Sequence, residues 1–154
     1  MAKQISAAKP PYLGLLNAIS VGEGRAGVVL SAWASATTDK RLGKALALVA
    51  ERETDHHDLF RSRIEELGFG LRAPADDAGF ARTVAFYGSD ASDKKKVKRS
   101  RKGQDGDGLS ALEERVRTDT ALDTVTRHLL QWYVDEERDS AKRLDRAYSR
   151  VLKG

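Results

Sequence analysis

Cysteine is absent from this chain of 154 residues, and proline occurs only three times. The lack of cysteine excludes disulfide bonds, thiolate metal sites and a thiol nucleophile. Two of the prolines are Pro10 and Pro11, so almost nothing after Tyr12 interrupts a helix. Alanine, leucine, arginine, lysine and glutamate are plentiful, and these residues favour helix over sheet. The sequence therefore predicts one all-helical domain spanning residues 1–154, which is long enough to bury a core.

The sequence also lacks a hydrophobic run that approaches the roughly 20 residues needed to cross a membrane. The segment 12–21 has some features of a signal peptide, but Asn17 and Ser20 interrupt it. We interpret this segment as the first turns of a helix in the mature protein. The expectation is a cytoplasmic protein without a membrane anchor.

Positive charge is unevenly distributed. The formal net charge is +4, from 27 basic and 23 acidic residues, and seven of the nine residues from Lys94 to Lys102 are basic. Without that segment, 20 basic residues face 23 acidic ones. The body of the protein is thus slightly acidic, and the basic character belongs to one segment.

The 3.6-residue hydrophobic periodicity predicts four helices, at about 12–36, 40–67, 109–118 and 122–151. Asp39 is suited to cap the second helix, and Gly68 and Gly70 are suited to end it. The crossover 68–108 is expected to hold a short helix within 75–87, followed by a mobile stretch that includes a basic linker at 93–103. Two helical hairpins joined by a long crossover form the connectivity of a four-helix bundle.

Each predicted helix carries a glutamate on its apolar face. The second and fourth helices align at an offset of 84 residues, which places Glu53 on Glu137. Glu23 and Glu113 take similar positions in the first and third helices. Buried carboxylates that converge repel one another unless a cation shares the space, so the pattern predicts a metal site. A single such glutamate is more often near a helix end or paired with arginine.

The sharpest motif is Glu53 followed by His56, since residues at i and i+3 lie on one helix face and can ligate a metal together. The alternative is that His56 and His57 form a surface pair. His57 could also be a hydrogen-bond partner behind the ligands.

The segment 17–69, with its inward glutamate and the run from Ala50 to His56, resembles the first half of a ferritin-like or rubrerythrin-like domain. The segment 109–152, around Val134–Glu137, resembles the second half. The resemblance implies two metal ions, usually iron with manganese as an alternative, and chemistry with oxygen or peroxide. The ligands it implies are Glu23, Glu53, His56, Glu113 and Glu137.

The sequence departs from that family pattern at Ser140, where the second histidine would stand. Three outcomes stay open: two metals with an incomplete ligand set, one metal near Glu23, Glu53 and His56, or no metal. In the last case, hydrogen bonds from Tyr133, Ser140 or Ser20 would satisfy the acidic groups. In the third helix, Glu114 competes with Glu113 as the ligand.

Two further hypotheses belong to other functional classes. The basic residues 94–102 could bind nucleic acid, although a solvated linker explains them as well, and no aromatic residue lies among them to stack on bases. Alternatively, the bundle could be a metal-free scaffold. A homodimer is expected, with Trp33 and Trp132 as candidate anchors unless both are ordinary core or half-buried residues.

Overall fold

A computed structural model describes residues 8–75, 77–104 and 107–154. Over these residues the chain forms six α-helices and no strand, which confirms the all-helical class. The helices are α1 (Leu13–Ala36), α2 (Lys40–Glu66), α3 (Ala78–Gly88), α4 (Asp93–Lys102), α5 (Gly108–Thr118) and α6 (Thr124–Lys153).

The ends of the long helices follow from local chemistry. The Asp39 side chain accepts hydrogen bonds from the backbone N–H groups of Arg41 and Leu42, and so caps α2. Gly68, just beyond the end of α2, has a φ of 88°, a conformation that favours glycine. Asp123 caps α6 by accepting from the backbone N–H of Thr126. The four predicted helices thus agree with α1, α2, α5 and α6 to within about two residues.

The prediction of a mobile basic linker was wrong for residues 93–102, which form helix α4. Ser92 caps this helix, and Val97 is fully buried. The carboxylate of Asp93, at its first turn, accepts hydrogen bonds from Trp33 and Thr37, each at 2.7 Å. Hydrophobic periodicity did not predict this helix, because α4 packs on the other helices through one apolar side chain and through polar contacts.

The helices pack so that α1 contacts α2 and α3, while α6 contacts α2, α4 and α5. Two apolar clusters fill the interior. One contains Leu16, Phe60 and Leu130, and the other contains Trp33, Leu46 and Tyr148. Along α1, α2 and α6, a short polar stretch separates these clusters, at the level of Glu23, Glu53 and Glu137.

By length and composition, α1 alone among the described helices is apolar enough to cross a membrane, so the expectation that no segment approaches this property was too strict. Its apolar character comes from leucine, isoleucine, valine and alanine residues, with Glu23 and Arg25 as the only charges. However, α1 also buries Leu16, Glu23 and Trp33 against the other helices, as a core helix of a folded domain does.

Candidate metal centre

Four of the five predicted ligands come together in the polar layer between the two apolar clusters. Glu23 of α1, Glu53 and His56 of α2, and Glu137 of α6 each offer a donor atom, and these four atoms all lie within 4.8 Å of one another. His56 is fully buried, Glu53 is 5% exposed and Glu23 is 9% exposed. For Glu23, Glu53 and Glu137, the inward orientation agrees with the prediction from helical periodicity.

Glu113 is not part of this group. Its carboxylate pairs with Arg138 of α6, and its side chain is 40% exposed. The competitor Glu114 is also outside, paired with Arg117. The reason is that α5, with 11 residues, has its main contact with α6, which also supplies the partner of Glu113. The other helix of this hairpin, α6, is much longer, with 30 residues.

Both ring nitrogens of His56 contact carboxylates. Nδ1 lies 3.1 Å from Glu23 and 3.6 Å from Glu137, whereas Nε2 lies 3.0 Å from Glu136. Metal-binding histidines commonly donate their second N–H to a carboxylate, which orients the ring. Glu136 takes this orienting position, and Nδ1 faces Glu23 and Glu137. The rings of Trp132 and Tyr133 pack edge-on against the imidazole.

A fixed positive charge adjoins this network. The Nε of Arg52 lies 3.2 Å from Glu136, and its Nη1 donates to Asp139 at 2.8 Å and to Ser140 at 3.0 Å. Ser140 is the residue at the position where the ferritin-like resemblance led us to expect a second histidine. The side chain at this position lies beside the guanidinium group of Arg52, and the Ser140 hydroxyl accepts a hydrogen bond from it.

The pKa values in the cluster reflect three carboxyl groups that share one buried space. Burial, together with the neighbouring Glu23 and Glu137, raises the pKa of Glu53 to about 11. Burial and the charge of Glu23 also raise the pKa of Glu137, to about 7. Burial opposes ionisation of Glu23, but hydrogen bonds with His56, Glu53 and Tyr133 outweigh it and lower the Glu23 pKa. The neutral protonated form of Glu53 thus relieves the repulsion that ionised neighbours would create.

The surroundings of His56 favour the cationic form of its imidazole. Burial would lower the pKa of its imidazole, but the hydrogen bonds to Glu23 and Glu136 raise it overall. The imidazolium form donates from both nitrogens, so a proton on Nδ1 stands where a cation could bind. Binding of a metal ion to this group would displace that proton and the proton of Glu53.

One carboxylate oxygen of the cluster has no hydrogen-bond donor beside it. Among the described residues, Oε1 of Glu137 is buried and has no hydrogen-bond partner. Buried carboxylate oxygens without a partner are rare, and each needs a physical explanation. Around one tetrahedral ion with bonds of about 2.0–2.2 Å, the donor atoms are about 3.3–3.6 Å apart. The four donor atoms lie within 4.8 Å of one another, so the most separated of them would approach each other by about 1.2–1.5 Å on binding an ion.

The remaining candidates of the sequence serve other roles. The hydroxyl of Tyr133 donates to Glu23 at 2.9 Å, as proposed for a partner of the acidic groups. His57 faces away from the cluster, and its Nδ1 lies 2.7 Å from the carbonyl oxygen of Ser20. His57 is therefore neither a ligand nor half of a surface histidine pair with the buried His56.

Sequence reasoning did not predict the roles of Glu136 and Arg52. Neither lies on the main apolar stripe of its helix, and their contacts depend on how α2 and α6 are set against each other. The sequence offered one indication of these roles: Arg52 directly precedes Glu53, and Glu136 directly precedes Glu137.

Comparisons of this chain with family models, with curated proteins and with solved structures find no match. Functional inference therefore rests on the geometry and chemistry of the cluster itself.

Proposed function

We propose that this protein binds one divalent transition-metal ion through the carboxylates of Glu23, Glu53 and Glu137 and through Nδ1 of His56. The observation that carries the proposal is the convergence of these four donor atoms, from three helices, within 4.8 Å of one another in the interior. An imidazole and three carboxylates suit iron, manganese and zinc alike.

Charge balance supports a cation at this position. With its carboxylates ionised and its imidazole neutral, the group of Glu23, Glu53, Glu137 and His56 carries three negative charges. In the metal-free protein, protons on Glu53 and His56 offset most of this charge. A divalent ion supplies the same compensation and also gives the unsatisfied oxygen of Glu137 a partner.

One ion is proposed, rather than the two expected from the ferritin-like pattern. Glu113, which would complete a second position, is paired with Arg138 outside the cluster. Ser140 offers a hydroxyl in place of an imidazole, and that hydroxyl is already a partner of Arg52. The guanidinium group thus supplies the positive charge that a second ion would bring.

The helix order, with two hairpins around a crossover, supports the proposal that the domain is a ferritin-like bundle whose crossover adds α3 and α4. If the resident ion is iron or manganese, it would supply redox chemistry towards oxygen or peroxide. The residues of the chain bind that ion and orient the imidazole through Glu136. Tyr133, hydrogen-bonded to Glu23, holds a proton beside the ligands. Activity as an oxidoreductase and a cytoplasmic location remain part of this proposal.

The homodimer is also a proposal, but its two anchors differ. Trp33 is fully buried in the core, so it is an ordinary core residue and cannot contact a partner. Trp132 is 38% exposed on α6 and stays the candidate anchor.

Elemental analysis of the metal content tests the proposal. The protein is purified without chelator or histidine tag and reconstituted with Fe²⁺ or Mn²⁺, alongside the variants Glu53→Ala and His56→Ala. Glu51→Ala is the matched control, because Glu51 is an exposed carboxylate on the same helix. Circular dichroism verifies that each variant is folded.

We expect about one ion per chain in the wild type and in Glu51→Ala, and a loss of the ion in the other two variants. Two ions per chain would contradict the role given to Arg52. No ion in the reconstituted wild type would leave the metal-free scaffold as the function of this bundle.

A further inference from the structure

Helix α4 presents an uninterrupted cationic face. Five of its basic side chains are exposed, at positions i, i+1, i+4, i+5 and i+8, which places them on one side of the helix: Lys94, Lys95, Lys98, Arg99 and Lys102. Among the ion pairs of the described residues, the α4 cation that takes part is Arg101, with Asp145. The five exposed cations, here called the α4 face, thus have no carboxylate partner in the described part of the chain.

The opposite side of α4 is fixed to the protein. Val97 is fully buried, Ser100 hydrogen-bonds with Tyr87 at 2.8 Å, and Arg101 donates to Asp145 and Ser149, each at 2.9 Å. Lys96 is buried as well, and its ammonium group donates to the carbonyl oxygen of Ser89. The exposed cations are therefore held in a defined array, unlike the cations of a flexible linker.

From this array, we propose that the α4 face binds the phosphate backbone of double-stranded nucleic acid without reading its sequence. The face spans about 12 Å, given eight steps of about 1.5 Å along a helix, which matches about four phosphates of one strand. Lysine ammonium groups supply point charges for phosphates, and backbone contacts carry no sequence information. This inference does not depend on the metal site.

The composition of the face distinguishes among polyanions. It carries no exposed apolar side chain, since Val97 points inward, and insertion into a lipid surface needs such side chains. It offers no free aromatic ring on which single-stranded bases could stack, because the guanidinium of Arg99 lies 4.4 Å over the ring of Phe86. A duplex, recognised by its charge and shape, is thus the partner that fits.

Fluorescence anisotropy with a short labelled DNA duplex of mixed sequence, titrated at several KCl concentrations, tests the proposal on the full chain. The test variant replaces Lys94, Lys95, Lys98 and Lys102 with glutamine. The matched control replaces four exposed lysines elsewhere with glutamine: Lys40, Lys44, Lys142 and Lys153. Both variants lose the same charge, and circular dichroism confirms their helicity.

The wild type is expected to lose about 150-fold in affinity between about 50 and 200 mM salt, as contacts to about four phosphates require. The control variant should keep this dependence, whereas the test variant, left with Arg99, should bind weakly and lose only about fourfold over the same range. Equal losses in both variants would overturn the proposal, because binding would then reflect net charge alone. Tighter binding to anionic lipid vesicles or to single-stranded DNA than to the duplex would also overturn it.

Discussion

Replacing Glu53 with glutamine separates metal binding from folding. In the metal-free protein the pKa of Glu53 is raised to about 11, so this carboxyl is protonated at neutral pH and glutamine has nearly the same shape and charge. The variant should therefore keep the melting temperature of the metal-free wild type. Since the amide is a poor ligand for a divalent ion, the variant should fail to gain stability when metal is added.

The expected gain of the wild type follows from mass action. A ligand at about 100 times its dissociation constant stabilises the native state by about 2.7 kcal/mol. For a domain of this size, about 1 kcal/mol raises the melting temperature by about 2–4 °C, so the expected shift is about 5–11 °C. The reason for the gain is that the unfolded chain does not hold the four ligands together.

Differential scanning calorimetry with and without Mn²⁺ or Zn²⁺ measures both quantities. A mildly alkaline buffer is suitable, because the carboxyl of Glu137, with a pKa of about 7, must lose its proton to bind the ion. Glu51→Gln is the control and should show the full shift of the wild type. A metal-dependent shift that persists in Glu53→Gln would refute the assignment of Glu53 as a ligand. A large drop in the metal-free melting temperature of that variant would refute the protonated state of Glu53.

Three further predictions concern other parts of the account. Glu136→Gln should weaken metal binding about 10- to 100-fold by isothermal titration while leaving one ion per chain, since Glu136 orients His56; unchanged affinity would contradict this role. Gly24→Ala should destabilise the fold by about 1–2 kcal/mol in urea unfolding, because the new Cβ would lie 2.8 Å from the ring of His57. Gly22→Ala is the control: this glycine has open space around it, so the variant should be more stable by about 0.5–1 kcal/mol. Equal effects at both positions would refute the close approach of Gly24 to His57. Asp39→Ala should cost about 1 kcal/mol at neutral pH through the lost helix cap. Because hydrogen bonds to Arg150 and to the backbone lower the Asp39 pKa to about 2, this contribution is present in full above about pH 4 and is lost as the pH falls through 2. A full-sized difference between variant and wild type at about pH 1 would contradict it.

The parts of the site that were predicted from the sequence are those that depend on one helix at a time. Whether Glu23, Glu53 or Glu137 points inward is decided by its spacing from apolar residues on the same helix. The offset of 84 residues between α2 and α6 reflects a shared pattern of burial, and Leu46 and Leu130 at matching positions are both fully buried. Local periodicity therefore identified four donors that belong to three different helices.

The errors concern relations between helices. Glu113 has an inward position along α5, but whether it reaches the cluster depends on where α5 lies relative to α1, and the sequence does not encode that directly. The contacts of Arg52 with Glu136 and Ser140 likewise exist only once α2 and α6 are packed. The helix α4 was not predicted, because hydrophobic periodicity needs several apolar residues and this segment has one, Val97.

The most direct test of the central claim is an anomalous-scattering map from crystals grown with Mn²⁺. We predict a single strong peak per chain within about 2.0–2.3 Å of donor atoms from Glu23, Glu53, His56 and Glu137. Two peaks per chain, a peak at Glu113, or no peak between these four side chains would contradict the single metal site.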